Sequence, residues 1–293
     1  MSNTVSAPLE TSNGNGNDEA QMSSAAPVQI YATTDTKLVS DFWAAKYEKE
    51  AQRNWDIFYK KNQANFFKDR HYLIREFPEL QPPLEAREYA VLEVGSGAGN
   101  TVYPILDSDA RVTVHCCDFS IRAVDLVKQH AQYTPERVNA FQCDITKKDL
   151  LVDVPKAGVD AVMCIFVLSA ISPEMMPRAV RNIAQVLRRN ARSRVFVRDY
   201  AAGDLAQERF DNKKHQKLGD NFYVRGDGTR AYYFTHDKLK ELFEAEGFST
   251  ICIKTQEVEV ENRAQGVKME RRWIQGAFGL ADLETPPRPF DSQ

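Results

Sequence analysis

The segment Leu92-Glu93-Val94-Gly95-Ser96-Gly97-Ala98-Gly99-Asn100 decides the fold. The run Tyr89 to Val94 reads as a short strand, and glycines at 95, 97 and 99 follow it directly. Without a Cβ, the backbone there turns tightly and approaches a ligand closely before a helix begins. Four more strand-like runs follow: Val112 to Cys117, Val138 to Cys143, Asp160 to Leu168 and Arg194 to Arg198. Helical patterns fill the intervals, chiefly Ser120 to Gln132 and Pro173 to Arg189, with Pro173 suited to a first turn. Such alternation is the signature of a parallel sheet with helices on both faces. A helix from Thr235 to Glu246 ends at Gly247, and Ser249 to Val260 with Val267 to Phe278 reads as a terminal antiparallel hairpin around a turn at Asn262 to Gly266. The expected class is α/β, a Rossmann-like seven-stranded sheet.

Upstream, Lys37 to about Arg75 is helical in pattern, with Tyr47, Ala51, Trp55, Phe58 and Tyr59 recurring at spacings of three and four. Prolines between Phe77 and Pro83 stop it. Residues Met1 to about Thr34 are rich in Ser, Thr, Asn, Gly and Ala and lack Lys and Arg, which fits a disordered tail and neither a mitochondrial nor a secretory leader. The expected organisation is therefore a tail over 1–36, a helical region over 37–83 and a main domain over 84–293. The expected location is the cytoplasm, with the nucleus as a second site.

Hydrophobic residues make up 43% of the 293, enough for a full core. The longest apolar run, Ala161 to Ile171, is too short to cross a bilayer, so no membrane role is expected. A net charge of -3 argues against a protein that coats nucleic acid non-specifically, while leaving room for a local basic face. Five cysteines without a C-x-x-C pair read as buried thiols, and the five histidines show no ligand spacing, so no metal is expected.

Acids follow the glycines at regular places. Asp118 ends the second strand, where a carboxylate can accept from two ribose hydroxyls, and Asp144 ends the third, where it can accept from an adenine amine. Each alone is also an ordinary helix N-cap. Loop and acids at three successive strand ends converge on the crevice of an open sheet, and Ile165 in the fourth strand can add an apolar wall. The spacing G-x-G-x-G departs from the G-x-G-x-x-G of dinucleotide sites and suits S-adenosyl-L-methionine, which has no pyrophosphate. A nicotinamide-dependent enzyme stays open, because Asp118 also lies about 20 residues beyond the glycines.

The blocks NWDIFYKKNQANFFKDRH, LEVGSGAGNTVYPIL, HCCDFS, FQCDIT, IFVLSAISP, FVRDY and NFYVRGDGTRAYYFT resemble those of eukaryotic tRNA N3-methylcytidine methyltransferases, which modify cytidine 32 of the anticodon loop. The likeness runs from about Asn54 to the end, and VEVENRAQGVKMERRWIQ is similar to the threonine-tRNA branch. It implies a class I methyltransferase fold in which Trp55, Tyr59, Gly95, Asp118, Asp144, Ile145 and Ile165 match cofactor-contacting positions; Gly97 joins them from the loop itself. Trp55 and Tyr59 would then be a lid, although such a stripe is also ordinary core. Two departures stand out: Arg188-Arg189-Asn190-Ala191-Arg192-Ser193 replaces the family's Lys-Pro-Gly-Gly turn, and Ala201 replaces a glycine.

Cytidine N3 carries a free lone pair, so methyl transfer needs alignment and stabilisation of a developing cation rather than a general base. Asp199 is the candidate to accept from the cytosine amine; its alternative is a salt bridge to Arg198 or another arginine. Phe66, Phe67, Tyr200 and Tyr223 are candidate stacking residues, Lys68, Arg70, Arg225 and Arg230 candidate phosphate contacts, and Arg198 joins this substrate group. In the bland reading Asp69 and Asp227 neutralise those cations on the surface. Expected partners are the tRNA anticodon stem-loop and an aminoacyl-tRNA synthetase or another accessory protein. A methyltransferase for a small molecule or protein, and a non-catalytic tRNA-binding adaptor, are the competing readings.

Overall fold

The computed structural model describes residues 38–64, 66–262 and 267–281. The tail expected over 1–36 and most of the hairpin turn lie outside the described residues. The chain opens with α1 (Asp41–Lys49) and α2 (Ala51–Asn62), then a short α3 (Leu73–Glu76). The single helical stretch expected to reach Arg75 is thus interrupted. Gln63 turns the backbone left-handed at φ 52°, and the following segment bonds to the glycine loop instead of to itself. Arg70 N–H donates to Asn100 O at 2.8 Å, and Asn100 Nδ2 donates to Phe67 O at 3.1 Å.

The main unit then runs β1 (Tyr89–Val94), α4 (Val102–Ser108), β2 (Val112–Asp118), α5 (Ile121–Lys128), β3 (Val138–Gln142), β4 (Ala161–Ile165), α6 (Met176–Val186) and β5 (Arg194–Tyr200). Next come α7 (Leu205–Asp211), β6 (Lys217–Gly219), β7 (Phe222–Val224), β8 (Arg230–Tyr232), α8 (His236–Glu244), β9 (Phe248–Asn262) and β10 (Val267–Leu280). The expected seven strands form one sheet, in the order β3-β2-β1-β4-β5-β10-β9. The first five are parallel, and β10 runs antiparallel to both β5 and β9.

Central strands are apolar on both faces because helices cover both. Val162 and Cys164 face the core built with α6 and α8, while Ala161, Met163 and Ile165 face the one built with α4 and α5. All five cysteines are free, four of them buried. Two local expectations are corrected. Helix α6 begins at Met176 with Pro177 in its first turn, whereas Pro173 sits in a turn closed by Met175 N–H to Ser172 O at 2.9 Å, a place where proline's fixed φ fits. The fourth strand stops at Ile165, because Phe166 adopts φ 60°. Helix α7 and the separate β6-β7-β8 sheet were not expected, since three-residue strands leave no readable periodicity.

The Arg188–Ser193 turn is held by Asn190, whose Oδ1 accepts from the backbone N–H of Arg192 and Ser193. Arg188 pairs with Asp160 and Arg192 with Glu85. These arginines therefore serve the end of the sheet opposite the strand C-termini.

Candidate active site

The chain winds outward from β1 to β3 and returns through β4, so the strand order reverses beside β1. In open α/β sheets the ligand crevice lies there, beyond the strand C-termini. A pocket occupies this place, walled by Gly95, Asp118, Asp144, Ile145, Phe166 and Val167 from the sheet side and by Trp55 and Tyr59 from α2. Helix α2 is tied across it by side-chain hydrogen bonds. Gln52 donates to Phe119 O at 2.7 Å, Ser120 Oγ to Asp56 Oδ1 at 2.6 Å, and Asn54 to Gly228 O at 3.0 Å.

The glycine loop explains its own composition. At Gly95 (φ 63°) an added Cβ would stand 2.4 Å from Val167 Cγ2, and at Gly97 (φ 55°) 2.7 Å from the Tyr59 hydroxyl oxygen. A side chain at Gly95 would displace Val167 within the sheet-side wall, and one at Gly97 would push Tyr59 of α2 away from the loop. Asp118 accepts from Gly97 N–H at 3.0 Å and from Ser120 N–H at 2.9 Å. Burial pushes its carboxyl up to about 6, against the pull of those two N–H groups. Asp144 accepts from Thr146 and pairs with Lys147 at 3.0 Å; burial pulls its carboxyl upward, but these partners win and hold it below the ordinary value. Trp55 and Tyr59 stack on one another at 5.9 Å.

Ile145 lines the pocket as expected, but Ile165 does not: it is 2% exposed within the core, and the wall there comes from the next two residues. Glu93, given no role above, lies directly beneath the loop. It is 1% exposed, with Arg70 Nη1 at 3.8 Å, and burial drives its carboxyl up to about 8 despite that cation. The signal for it was a lone acid inside an apolar strand.

The residues assigned to substrate separate into two groups. Phe66 and Lys68 are exposed, while Phe67, Tyr200 and Arg225 are half-buried. The Arg225 guanidinium lies 5.2 Å from the Tyr200 ring centre. The others have turned inward, contrary to the expected surface contacts. Arg70 donates to Thr101 Oγ1 at 2.8 Å and faces Glu93. Arg230 is 6% exposed, pairs with Glu48 and donates to Ala170 O at 3.1 Å, locking α1 to the pocket rim. Tyr223 is 1% exposed, packed on Phe210 and donating to Asp211 at 2.8 Å. Among the described residues Asp69 forms no salt bridge with the cations, while Asp227 favours the charged form of nearby Arg225. Asp69 accepts from Asn100, and Asp227 from Thr229.

Asp199 and Arg198 point to opposite faces of β5, so the ion pair between them is not formed. Arg198 lies between the rings of Tyr72 and Trp273, at 4.9 and 4.6 Å, and donates to Gln275. Asp199 is fully buried beneath the 168–170 turn, accepting from Ser169 N–H and Tyr200 N–H at 2.9 Å each. Burial raises its carboxyl to about 6, opposed chiefly by Ser169.

The pocket matches the chemistry of S-adenosyl-L-methionine. Each Asp118 oxygen keeps a second lone pair for a ribose hydroxyl, Ile145 and Val167 offer flat apolar contact for a purine, and the Trp55 and Tyr59 faces favour a sulfonium cation. Among the described residues no group of acids, histidines and cysteines could hold a metal.

A family model described as a methyltransferase domain matches residues 92–193. The tRNA N(3)-cytidine methyltransferase METTL6 of Homo sapiens is 46% identical over 257 residues, covering 87% of this chain and 88% of that protein. The tRNA(Thr) (cytosine(32)-N(3))-methyltransferase of Saccharomyces cerevisiae is 40% identical over 248 residues, covering 83% of this chain and 39% of that protein. Among solved structures, Burkholderia thailandensis 1,6-didemethyltoxoflavin-N1-methyltransferase with bound S-adenosylhomocysteine has a TM-score of 0.54 at 17% identity, covering 88% of this chain and 100% of that chain, a likeness of fold. Sheet order, glycine cradle and strand-end acids together define a class I methyltransferase whose cofactor is S-adenosyl-L-methionine. More narrowly, the chain belongs to the tRNA N(3)-cytidine methyltransferase family.

Proposed function

We propose that the enzyme methylates N3 of cytidine 32 in the anticodon loop of threonine tRNAs, serine tRNAs or both. Kinship along most of the chain carries this reading, and the cleft supports it: exposed Phe66 and Lys68 stand on the segment that packs against the glycine loop. When bound, S-adenosyl-L-methionine supplies an electrophilic methyl group. Asp118 and Asp144 bind and orient it, while Trp55 and Tyr59 close over it and exclude water. An anticodon-loop base is already unpaired, so presenting its Watson-Crick edge costs little. No residue need remove a proton from N3. Asp199, ionised above about pH 6 and buried behind the 168–170 turn, opposes the positive charge that develops on the base. Its burial makes it a source of field, where direct contact with the cytosine amine was expected. Lys68 and Arg225 are the phosphate contacts, and Phe66, Phe67 and Tyr200 the stacking surfaces. The 37–83 region acts as both lid and RNA contact.

An accessory aminoacyl-tRNA synthetase and a cytoplasmic location with nuclear access belong to the same proposal. Methyl-labelled cofactor incubated with total RNA, total protein or small metabolites tests the substrate class, and nucleoside analysis of the RNA tests the product. Label in N3-methylcytidine is the expected result. Label confined to protein or metabolites, or none in any fraction, overturns the reading.

A further inference from the structure

Phe166 packs against the core built with α4 and α5 and also lines the pocket, from a backbone that core packing alone does not require. It is a non-glycine residue at φ 60°, a left-handed conformation that an aromatic side chain adopts only under constraint. The constraint is visible on both sides. Its N–H donates to Arg198 O at 2.7 Å, and the following residue, Val167, is pressed into the space left by the missing Cβ of Gly95. The result turns a half-buried ring out of the strand and into the pocket wall, opposite Trp55 and Tyr59. Continued extension of β4 would have put this side chain on the face of Val162 and Cys164, under α6.

The surroundings of the ring continue the same surface. Tyr200 lies 5.0 Å from it and Trp273 5.9 Å, both half-buried. Cations flank the group: Arg225 stands 5.2 Å from the Tyr200 ring and is the one placed to meet a phosphate, while Arg70, 6.0 Å from the Phe166 ring, and Arg271, 5.7 Å from that of Tyr200, are held by Glu93 and Asp204. A partly open aromatic face beside the cofactor pocket, with a guanidinium group beside it, is the arrangement that holds a single unstacked nucleotide: the base lies on the ring and the phosphate lies toward the cation.

We propose that Phe166 is the platform on which the target base stacks, with Tyr200 and Trp273 as the side walls that fix its edge toward the methyl donor. The inference rests on the reading of the enzyme as a tRNA methyltransferase, and it makes Phe166 a positioning residue: it aligns the nucleophile and takes no part in bond making. The strain at φ 60° then has a function, because it points the ring at the substrate and away from the α6 face.

The test uses an anticodon stem-loop carrying a fluorescent cytidine analogue at the target position, with full-length protein and S-adenosylhomocysteine. Stacking on Phe166 quenches the analogue. Phe166→Leu keeps the volume without the π face, and Phe166→Tyr restores it. The expected result is quenching by the parent protein and by Phe166→Tyr, loss of quenching in Phe166→Leu, and roughly 5- to 100-fold weaker RNA binding in Phe166→Leu. Quenching and affinity unchanged in Phe166→Leu would overturn the platform. So would a Phe166→Tyr protein that behaves like Phe166→Leu while methylating no better. Methylation of tRNA by the parent protein is run alongside. If the parent methylates no RNA, the reading of function fails and the inference with it; if it methylates but the analogue is never quenched, only the platform fails.

Discussion

Asp118 and Asp144 stand at the ends of β2 and β3 and reach the pocket simply because those strands end there. Arg230 at the pocket and Arg70 on the segment bonded to the glycine loop form a second wall; they carry the residue type expected of phosphate contacts yet have folded inward onto Glu48 and Glu93. The first wall is built from backbone geometry, in which a strand end dictates where a side chain points. The second is built from long flexible side chains, whose direction depends on which partner the tertiary fold supplies. Asp118 and Asp144 therefore face the pocket, while Arg70 and Arg230 act as struts.

The largest effect should come from the backbone-built wall. Asp118→Ala removes a charged acceptor from the pocket without emptying core volume, and cofactor affinity should fall at least ~100-fold, the scale of two lost hydrogen bonds to a charged group. Calorimetric titration with S-adenosylhomocysteine measures it. An unchanged dissociation constant would place the cofactor elsewhere and dissolve the contrast between the walls.

Asp199→Asn comes next and separates field from framework. Methyl transfer in a single turnover should fall ~100-fold, as when a preorganised electrostatic group is removed, with tRNA and cofactor affinities little changed. The pH dependence gives an independent readout. Its folded carboxyl is raised to about 6 by burial, above the unfolded value, so its contribution to stability is fully present below about pH 4 and is lost as pH rises through 6. Asparagine abolishes that titration, so the melting temperature of the variant should vary less than the parent's between pH 4 and 7. Near-normal turnover would eliminate the electrostatic role. A collapse in melting temperature at every pH would make Asp199 structural, a holder of the Ser169 and Tyr200 N–H groups.

Arg230→Met asks whether the inward cations are struts. The variant leaves Ala170 O without its donor and frees Glu48. Loss of about 1–3 kcal/mol follows from an unmade buried hydrogen bond, equivalent to roughly 3–10 °C in melting temperature. Because Arg230 also lines the pocket, cofactor affinity should weaken ~3- to 10-fold as α1 loosens. The salt dependence of tRNA binding should stay as it was. A fall in that slope would mean that Arg230 swings out to meet a phosphate.

What was legible in the sequence follows the same division. The seven strands, the glycine loop and the two acids were readable because each depends on a few consecutive residues: a run of apolar side chains, a missing Cβ, an acid at a strand end. The break after Asn62 was not, because the groups that interrupt the helix belong to Asn100, far along the chain. Tyr223 read as a surface aromatic because its burial is created by Phe210 and Tyr233, in elements too short to show periodicity. Phe166 escaped notice for a third reason. Nothing in the composition of a strand end announces a left-handed backbone at a phenylalanine, and Ile165, one position earlier, took the role that the chain gives to its neighbours.

Lys68 gives the smallest expected effect and the cleanest check on the second wall. It is exposed, follows Phe66 and Phe67, and lies two residues before Arg70, which is turned into the protein. If Lys68 contacts one phosphate of a single-stranded loop, Lys68→Ala should lower the slope of log affinity against log salt by about 0.7, the share of one contact. Cofactor affinity and melting temperature should not move, since the side chain projects into solvent. Arg70→Ala on the same segment should do the reverse: lower the melting temperature by removing the half-buried guanidinium that donates to Thr101 and packs by Glu93, and alter the salt slope little. Measuring both variants across a salt series therefore decides the matter two residues apart. Equal slopes for Lys68→Ala and the parent would make Lys68 an ordinary solvated lysine, and a reduced slope for Arg70→Ala would show that the inward arrangement opens when tRNA binds.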